Sequence, residues 1–243
     1  MGSWLPLESN PEVLNPFART IGLPADWGFT DVFGLDPDLL MMVPTPCAAL
    51  CLLYPTEKIS RARRDEFFAT RAKDQPAPPS NLFFCQQHDG FGNACGTIAC
   101  MHAIANASLS GMFELAEGGS LRGFVEMSAA LGPSERGRKL LDATDLQTLS
   151  DATAASGETE GAGTDDAQGQ HFISFVNFDG FLYELDGRNF EHAAASAVAV
   201  PVCHGATSTE TFLADAARVI KEEFMARDPT SLNFNIVALC KDC

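Results

Sequence analysis

Apolar and polar positions along the chain predict an alternation of helices and strands. Residues 10–22 carry helical signals, with Asn10 as the N-cap and Gly22 as the stop. The apolar run 47–54 ends at Pro55 and predicts a strand that is buried on both faces. Shorter extended segments are predicted at 27–33, 82–85 and 233–239.

Six further segments have the composition or the period of helices. Residues 57–73 hold six Lys or Arg and three acidic residues, which predicts a surface helix with a solvated charged face. Residues 96–106 are almost uncharged and predict a helix that is buried on most sides. Three short helices, capped by Ser, Ser and either Asp or Thr, and one long amphipathic helix are also predicted, at 120–131, 133–142, 145–155 and 208–227.

A hairpin is predicted in the second half of the chain. Asp179 and Gly180 separate two runs, 171–178 and 181–188, that are rich in aromatic and β-branched residues. Asp-Gly between such runs is typical of a two-residue hairpin turn. The turn fixes the register, because residues at equal distances from it become partners.

This register brings two chemically active side chains together. Ile173 is predicted to face Asp186, and His171 to face Arg188, with all four side chains on one face of the sheet. His171 and Asp186 are then diagonal neighbours, with Cβ atoms about 7 Å apart. Either residue alone is most often structural, whereas a histidine oriented by a carboxylate is the base that a cysteine nucleophile requires.

Cys95 is the candidate nucleophile. It stands where the helix predicted over 96–106 begins, and a helix N-terminus favours thiolate over thiol. Most cysteines in proteins are buried and inert, and that remains the alternative for Cys95 considered by itself. The order Cys95, His171, Asp186 favours the catalytic interpretation.

Composition limits the classes of function. The net charge is −16, from 16 basic and 32 acidic residues, so a nucleic-acid partner is not expected. No apolar stretch is long enough to span a membrane, and the N-terminus has no secretory pattern, so no membrane association is expected. The eight cysteines are interpreted as free thiols in a reducing compartment, the cytoplasm, with the nucleus as a further location. A monomer is expected.

The motifs resemble the ubiquitin C-terminal hydrolases, in particular the small single-domain members of that family. The strongest matches are Asn-Ala-Cys-Gly-Thr-Ile around Cys95, and His-Phe-x-x-x-Val followed by Asp-Gly-x-Leu-Tyr-Glu-Leu-Asp-Gly-Arg from His171 to Arg188. The resemblance implies a papain-like α/β (α+β) fold, with a central, mostly antiparallel sheet flanked by helices and a knotted chain. Residues 1–243 then form one catalytic domain. Weaker matches occur at 4–8, 10–13, 36–40, 42–44 and 224–229.

The resemblance also implies a catalytic set. Cys95 is the nucleophile, His171 the general acid and base, and Asp186 the residue that orients the histidine. The family has a glutamine six residues before its nucleophile, which stabilises the oxyanion, but that position here is Asp89, which cannot donate when it is ionised.

If the chain is aligned with the family pattern at Phe83 and Phe84 instead, Gln87 takes the position of the family glutamine. Two extra residues then loop out before the nucleophile. Gln86 is the fallback. His88 lies near the nucleophile in sequence but has no carboxylate at hairpin spacing, and His102 is expected to be a core histidine.

The implied partner is ubiquitin, with the ubiquitin-like modifier NEDD8 as an alternative, and no cofactor or metal is expected. Family positions near ubiquitin match Leu7, Glu8, Glu12 and Asp31, and the acidic residues among them suit the arginines of the ubiquitin tail. The Gly-rich, acidic segment 155–170 predicts a mobile loop that resembles the crossover loop of the family, which admits only small adducts or short peptides.

Two alternatives from other classes stay open. One is a catalytically weak or silent ubiquitin-binding module, because the shifted glutamine weakens the oxyanion site. The other is a general papain-like peptidase that acts on unrelated peptides. Residues 193–201 are longer than the corresponding family connection, and the sequence suggests no function for them.

Overall fold

The computed structural model describes residues 3–155, 169–191 and 197–242. Its centre is a six-stranded sheet in the order β1-β6-β2-β3-β4-β5, in which each neighbouring pair is antiparallel. The strands are β1 Trp27–Asp31, β2 Cys47–Pro55, β3 Gln170–Phe178, β4 Phe181–Leu185, β5 Val202–Ala206 and β6 Asn235–Lys241.

Helices cover both faces of this sheet. The α-helices are α1 Pro11–Ile21, α2 Pro37–Leu40, α3 Ser60–Thr70, α4 Cys95–Leu109, α5 Ser120–Met127, α6 Pro133–Leu141, α7 Thr144–Ala154 and α8 Phe212–Val219. A 3₁₀ turn, Ala72–Asp74, follows α3, while a π segment, Ile220–Phe224, and a 3₁₀ turn, Met225–Arg227, continue α8. Among these described helices, none is long and apolar enough to cross a membrane.

Two apolar cores lie on opposite faces of the sheet. The larger core surrounds α4, whose residues 96–107 are all buried, and also takes in α1, α5 and α7. The smaller core packs α8 and the π segment against the other face. The predicted central antiparallel sheet with flanking helices is thereby confirmed, and α4 is held as a rigid element in the middle of the larger core.

Locally encoded elements match their predictions. The Asn10 side chain accepts from the N–H of Glu12, and Gly22 ends α1 with a φ of 119°. The hairpin has the predicted register from Phe178–Phe181 to its last pair. The ladder stops at Leu185, however, so Ile173 and Asp186 are not ladder partners.

Four predictions need correction. Residues 82–85 do not form a strand, and α8 begins at Phe212 rather than at 208. The helices α5, α6 and α7 have Gly119, Gly132 and Ala143 at their N-caps, one or two residues before the predicted polar caps, and none of these three residues caps its helix with a side chain. The predicted solvated face of 57–73 is partly wrong, since Arg63 on α3 is buried in an ion pair.

Candidate active site

Cys95 is the first residue of α4 and is half-buried. The tight packing at Gly96 fixes this end of the helix: a Cβ there would lie 3.1 Å from the Leu7 Cβ and 3.3 Å from a ring carbon of Phe172. The Cys95 thiol interacts with His171 and with the backbone of Phe172, both on β3, and lies at the positive end of the helix dipole.

His171 and Asp186 are joined directly. His171 Nε2 lies 2.7 Å from Asp186 Oδ1, and the same oxygen accepts the backbone N–H of Arg188 at 2.8 Å. Burial alone would raise the pKa of Asp186, but the charge and the hydrogen bond of His171 lower it to about 2. Asp186 is thus ionised at neutral pH and fixes the orientation of the imidazole.

Cys95 and His171 shift each other's pKa. The second ring nitrogen of His171, Nδ1, has no hydrogen-bond partner of regular geometry among the described residues. The Cys95 thiol interacts with the same ring through its charge and a hydrogen bond. Burial opposes ionisation of both groups, yet Asp186 and Cys95 raise the pKa of His171 to about 9. Burial also raises the pKa of Cys95, but the interaction with His171 outweighs it and lowers that pKa below the ordinary value of a thiol. The pair favours thiolate and imidazolium.

Tyr54 and Arg64 also shape this site, and sequence reasoning missed both. Tyr54 pairs with His171 across β2 and β3, and the two rings pack edge to face with centroids 5.9 Å apart. The Arg64 guanidinium donates to the Arg188 carbonyl at 2.8 Å, and its charge helps to lower the pKa of Asp186. A non-local strand pairing and a helix docking specify these contacts, so no short-range pattern could have indicated them.

Gln87 lies buried beside the loop that leads to Cys95. Its Nε2 donates to the Gly92 carbonyl at 3.2 Å, which uses one of the two N–H groups of the amide. Its backbone N–H donates to the Gly187 carbonyl at 2.8 Å, directly after Asp186. The position proposed for the oxyanion donor is therefore linked to the segment that carries the orienting carboxylate.

The other candidates near the nucleophile have different surroundings. The Gln86 side chain bonds to the backbone of Ala197 and Ala199, whereas Asp89 is exposed. His88 Nε2 lies 2.7 Å from the Ser134 carbonyl oxygen, which fixes its ring to α6. Gln87 is accordingly better placed for the oxyanion than Gln86.

Side chains of α4 explain the irregular segment 82–85. His102 accepts the backbone N–H of Cys85 at 2.9 Å, and Asn106 bonds both to the N–H and to the carbonyl of Phe83 at 2.8 Å. Burial lowers the pKa of His102 to about 3, so the ring is neutral at physiological pH. His102 is the core histidine that the sequence predicts, and it helps to hold the segment that leads to Gln87.

The residues predicted to bind ubiquitin differ in their exposure. Leu7 is buried against Gly96, whereas Glu8 is half-buried and Glu12 and Asp31 are exposed. Of the predicted crossover loop 155–170, residues 156–168 lie outside the described residues, as do 192–196 of the long connection.

One group of described residues has metal-ligand chemistry: Glu184, His204 and Glu223. Arg63 already donates to both carboxylates, and His204 Nε2 lies 2.9 Å from Glu184. Arg71 also donates to Glu223, so two guanidinium groups face the two carboxylates, and we interpret the group as a structural ion-pair network.

Comparison with known proteins decides the family. The model of the family described as ubiquitin carboxyl-terminal hydrolase, family 1, matches residues 4–226. The chain belongs to this family. Its members are cysteine-type deubiquitinases, so the chain is a hydrolase with the Cys-His-Asp arrangement that is typical of the family.

Several ubiquitin carboxyl-terminal hydrolases match over nearly their full length. The Aplysia californica enzyme is 41% identical over 93% of this chain and 96% of its own, and the Drosophila melanogaster enzyme is 39% identical over 98% of both. Among solved structures, the Trichinella spiralis UCH37 catalytic domain bound to ubiquitin vinyl methyl ester has a TM-score of 0.71 at 19% identity, covering 100% of this chain and 97% of its own. The Trichinella spiralis domain and this chain therefore have the same fold.

Proposed function

We propose that the protein hydrolyses bonds to the C-terminal glycine of ubiquitin, through a covalent thioester on Cys95. One observation carries the proposal: His171 is held by Asp186 at 2.7 Å while it lowers the pKa of a thiol at a helix N-terminus. A buried cysteine without a catalytic role has no need of an oriented base, and burial alone would raise its pKa.

Acylation begins with the thiolate of Cys95, which attacks the carbonyl carbon of the terminal glycine. The proton resides on the His171 imidazole, which Asp186 keeps oriented and stabilises in its charged form. As the tetrahedral intermediate collapses, His171 gives this proton to the leaving amine. Water, deprotonated by the now neutral His171, then attacks the thioester. Collapse of this second intermediate releases free ubiquitin and restores the Cys95 thiolate beside the protonated His171.

The developing oxyanion needs donors that are in place before the reaction. We assign this role to the side-chain amide of Gln87 and the backbone N–H of Cys95. The amide has a second N–H beyond the one that bonds to Gly92. Removal of one such donor usually lowers kcat by about 10²–10³.

The finer substrate preference is also a proposal. We expect ubiquitin to be preferred, with NEDD8 as the alternative, because the exposed Glu12 and Asp31 suit a basic tail. Small adducts and short peptides are the expected leaving groups, since the composition of 155–170 resembles the crossover loop of the family. Six of the described cysteines are free thiols, which supports action in a reducing compartment, the cytoplasm or the nucleus: Cys47, Cys51, Cys85, Cys95, Cys100 and Cys203.

Release of a fluorophore from the C-terminus of ubiquitin tests the proposal. The parent, a Cys95→Ala variant and a Cys203→Ala variant are compared, and the assay is repeated with a short peptide that ends in the same residues. Cys203 is another half-buried thiol and serves as the matched control. We expect turnover of whole ubiquitin that Cys95→Ala abolishes and Cys203→Ala retains, with little turnover of the peptide.

Each contrary outcome identifies an alternative. Binding of ubiquitin without turnover by the parent would indicate a silent binding module. Equal turnover of the peptide and of whole ubiquitin would indicate a general peptidase. Turnover that survives Cys95→Ala would contradict the assignment of the nucleophile.

A further inference from the structure

Gln86 directly precedes Gln87, the proposed oxyanion donor. Hydrogen bonds hold both its backbone and its side chain. Its backbone N–H donates to the Pro133 carbonyl at 3.0 Å. Its side-chain amide donates to the Ala197 carbonyl at 3.4 Å and accepts the N–H of Ala199 at 3.1 Å. The residue is 7% exposed. Both ends of its amide thus bond to the chain itself.

The backbone that Gln86 binds belongs to the long connection 193–201. Val200 N–H donates to the Asn189 carbonyl and the Asn189 side-chain amide donates to the Val200 carbonyl, both at 2.9 Å. Asn189 N–H in turn donates to the carbonyl of Asp186 at 3.0 Å. The end of this connection therefore links Gln86 to the loop of the orienting carboxylate.

Close packing leaves the backbone of Gln86 little freedom. A Cβ at Gly137 on α6 would overlap the Gln86 carbonyl oxygen, so the helix contacts this peptide directly. A Cβ at Gly187 would lie 2.9 Å from the Cys85 carbonyl oxygen and 3.1 Å from the Gln87 nitrogen. The peptide between the two glutamines is therefore confined from two directions.

We propose that Gln86 is a positioning residue, which aims the Gln87 amide at the oxyanion by binding the backbone of 197–199. This inference rests on the proposed function, because it requires Gln87 to be the oxyanion donor. It also gives the described end of the long connection, residues 197–201, a role, as the support against which the oxyanion segment is held. A displacement of about 1 Å at such a group can lower the rate by about 10²-fold.

Gln86→Met tests the proposal, because methionine keeps the approximate volume and removes both amide hydrogen bonds. We expect kcat on the ubiquitin fluorophore substrate to fall by about tenfold, with KM close to that of the parent, since contacts to the body of ubiquitin are unchanged. The matched control is Gln75→Met. Gln75 also accepts a backbone N–H, that of Cys203 at 2.7 Å, but away from the nucleophile, so its loss should leave kcat at the parental value.

A double-mutant cycle separates positioning from an independent effect. If Gln86 acts through Gln87, then Gln86→Met in a Gln87→Ala background should change kcat by less than about twofold. An equal tenfold loss in both backgrounds would overturn the proposal. If Gln86→Met keeps the parental kcat while Gln87→Ala lowers it, the positioning role of Gln86 is overturned and the role of Gln87 is not. If Gln87→Ala also keeps the parental kcat, the oxyanion assignment is overturned as well.

Gln86→Glu provides a second variant with a readout that a purely structural role would not change. A carboxylate still accepts the Ala199 N–H but faces the Ala197 carbonyl without a donor. Protonation restores the donor, and burial raises the pKa of such a carboxyl group. The ratio of kcat for Gln86→Glu to kcat for the parent should therefore increase as pH falls. A ratio that does not change with pH would overturn the proposal.

Alkylation of Cys95 by iodoacetamide, followed by mass spectrometry, checks that the nucleophile itself is intact. Gln86→Met should be alkylated at the parental rate, because the thiolate depends on His171 rather than on the oxyanion donors. Slower alkylation by about the same factor as kcat would assign the defect to Cys95 and overturn the proposal.

Discussion

Arg63 and Glu184 form a bidentate ion pair in the interior of the protein. Two guanidinium nitrogens each lie 2.5 Å from a carboxylate oxygen, and the side chains are 9% and 0% exposed. Arg63 belongs to α3, whereas Glu184 lies on β4, two residues before Asp186. The pair thus joins a charged helix to the strand that leads to the active site.

Removal of Arg63 takes both guanidinium hydrogen bonds from the buried Glu184 carboxylate, which then keeps its contact with His204. Arg63→Met should lower the free energy of unfolding by about 3–5 kcal/mol, measured by urea titration. The control is Arg61→Met, because Arg61 is 88% exposed in its pair with Asp65 and should change stability by less than about 0.5 kcal/mol. Equal small losses in both variants would contradict a stabilising role for the buried pair.

The coupling of Cys95 and His171 predicts the pH dependence of the nucleophile. The lowered pKa of Cys95 keeps the thiolate present below the pH at which an ordinary thiol ionises. His171→Gln removes the partner that outweighs burial, so alkylation of Cys95 should then require a higher pH. Rates of iodoacetamide alkylation from pH 5 to 10 check this, and identical profiles for the two proteins would refute it.

The same coupling limits activity at high pH. His171 has a pKa raised to about 9, so its proton is bound below that pH and is lost as pH rises through it. Because this proton goes to the leaving amine, kcat/KM for an amide substrate of ubiquitin should fall above about pH 9. A profile that stays level to pH 10.5 in a protein that remains folded would contradict the assigned role.

Gly187 predicts a defect that is transmitted through the backbone. Gly187→Ala places a Cβ 2.9 Å from the Cys85 carbonyl oxygen, closer than ordinary contact, so the segment that carries Gln87 must shift. We expect kcat to fall by up to about 10²-fold. Gly123→Ala is the control, because a Cβ there meets nothing within 4 Å on α5, and alanine is the better helix former. Equal kcat values for the two variants would show that the contact is accommodated without displacement.

A buried hydroxyl pair joins the catalytic helix to α7. Thr97 Oγ1 lies 2.6 Å from Ser150 Oγ, and both residues are fully buried. Either Thr97→Val or Ser150→Ala should destabilise the protein by about 1–3 kcal/mol, since the remaining hydroxyl loses its partner, and the double variant should cost less than the sum. Thr148→Val is the control, because the Thr148 hydroxyl is exposed and bonds within its own helix. Strictly additive losses would contradict the pairing.

The sequence predictions are accurate where a structure depends on residues that are close in sequence, and they are wrong where it depends on distant ones. Asn10 and Gly22 bound α1, and a two-residue turn sets the hairpin register, because these signals act within a few residues of their effect. The segment 82–85 looks like a strand from its aromatic composition, yet its backbone bonds to His102 and Asn106, which are 17 and 23 residues away from their partners. Local patterns do not specify such pairings.

The candidate site shows the same division. Cys95, His171 and Asp186 could be predicted because their motifs and the hairpin spacing are short-range features. Tyr54 and Arg64 could not, since they reach the site through the pairing of β2 with β3 and the docking of α3. The hydrogen bonds of the Gln86 side chain are made to Ala197 and Ala199, more than 100 positions later, so a sequence pattern offers no signal for them.

The place of β6 in the sheet has a consequence for biosynthesis. β6 lies between β1 and β2, so β1 joins the described sheet only through a strand made about 200 residues later. At about 5–20 residues per second on the ribosome, β1 waits on the order of 10–40 s for its partner. During that interval β2 exposes an unpaired, apolar edge, which is a site for aggregation or for a chaperone. In the nascent hydrolase, β1 therefore cannot take its place in the described sheet until β6 has been translated.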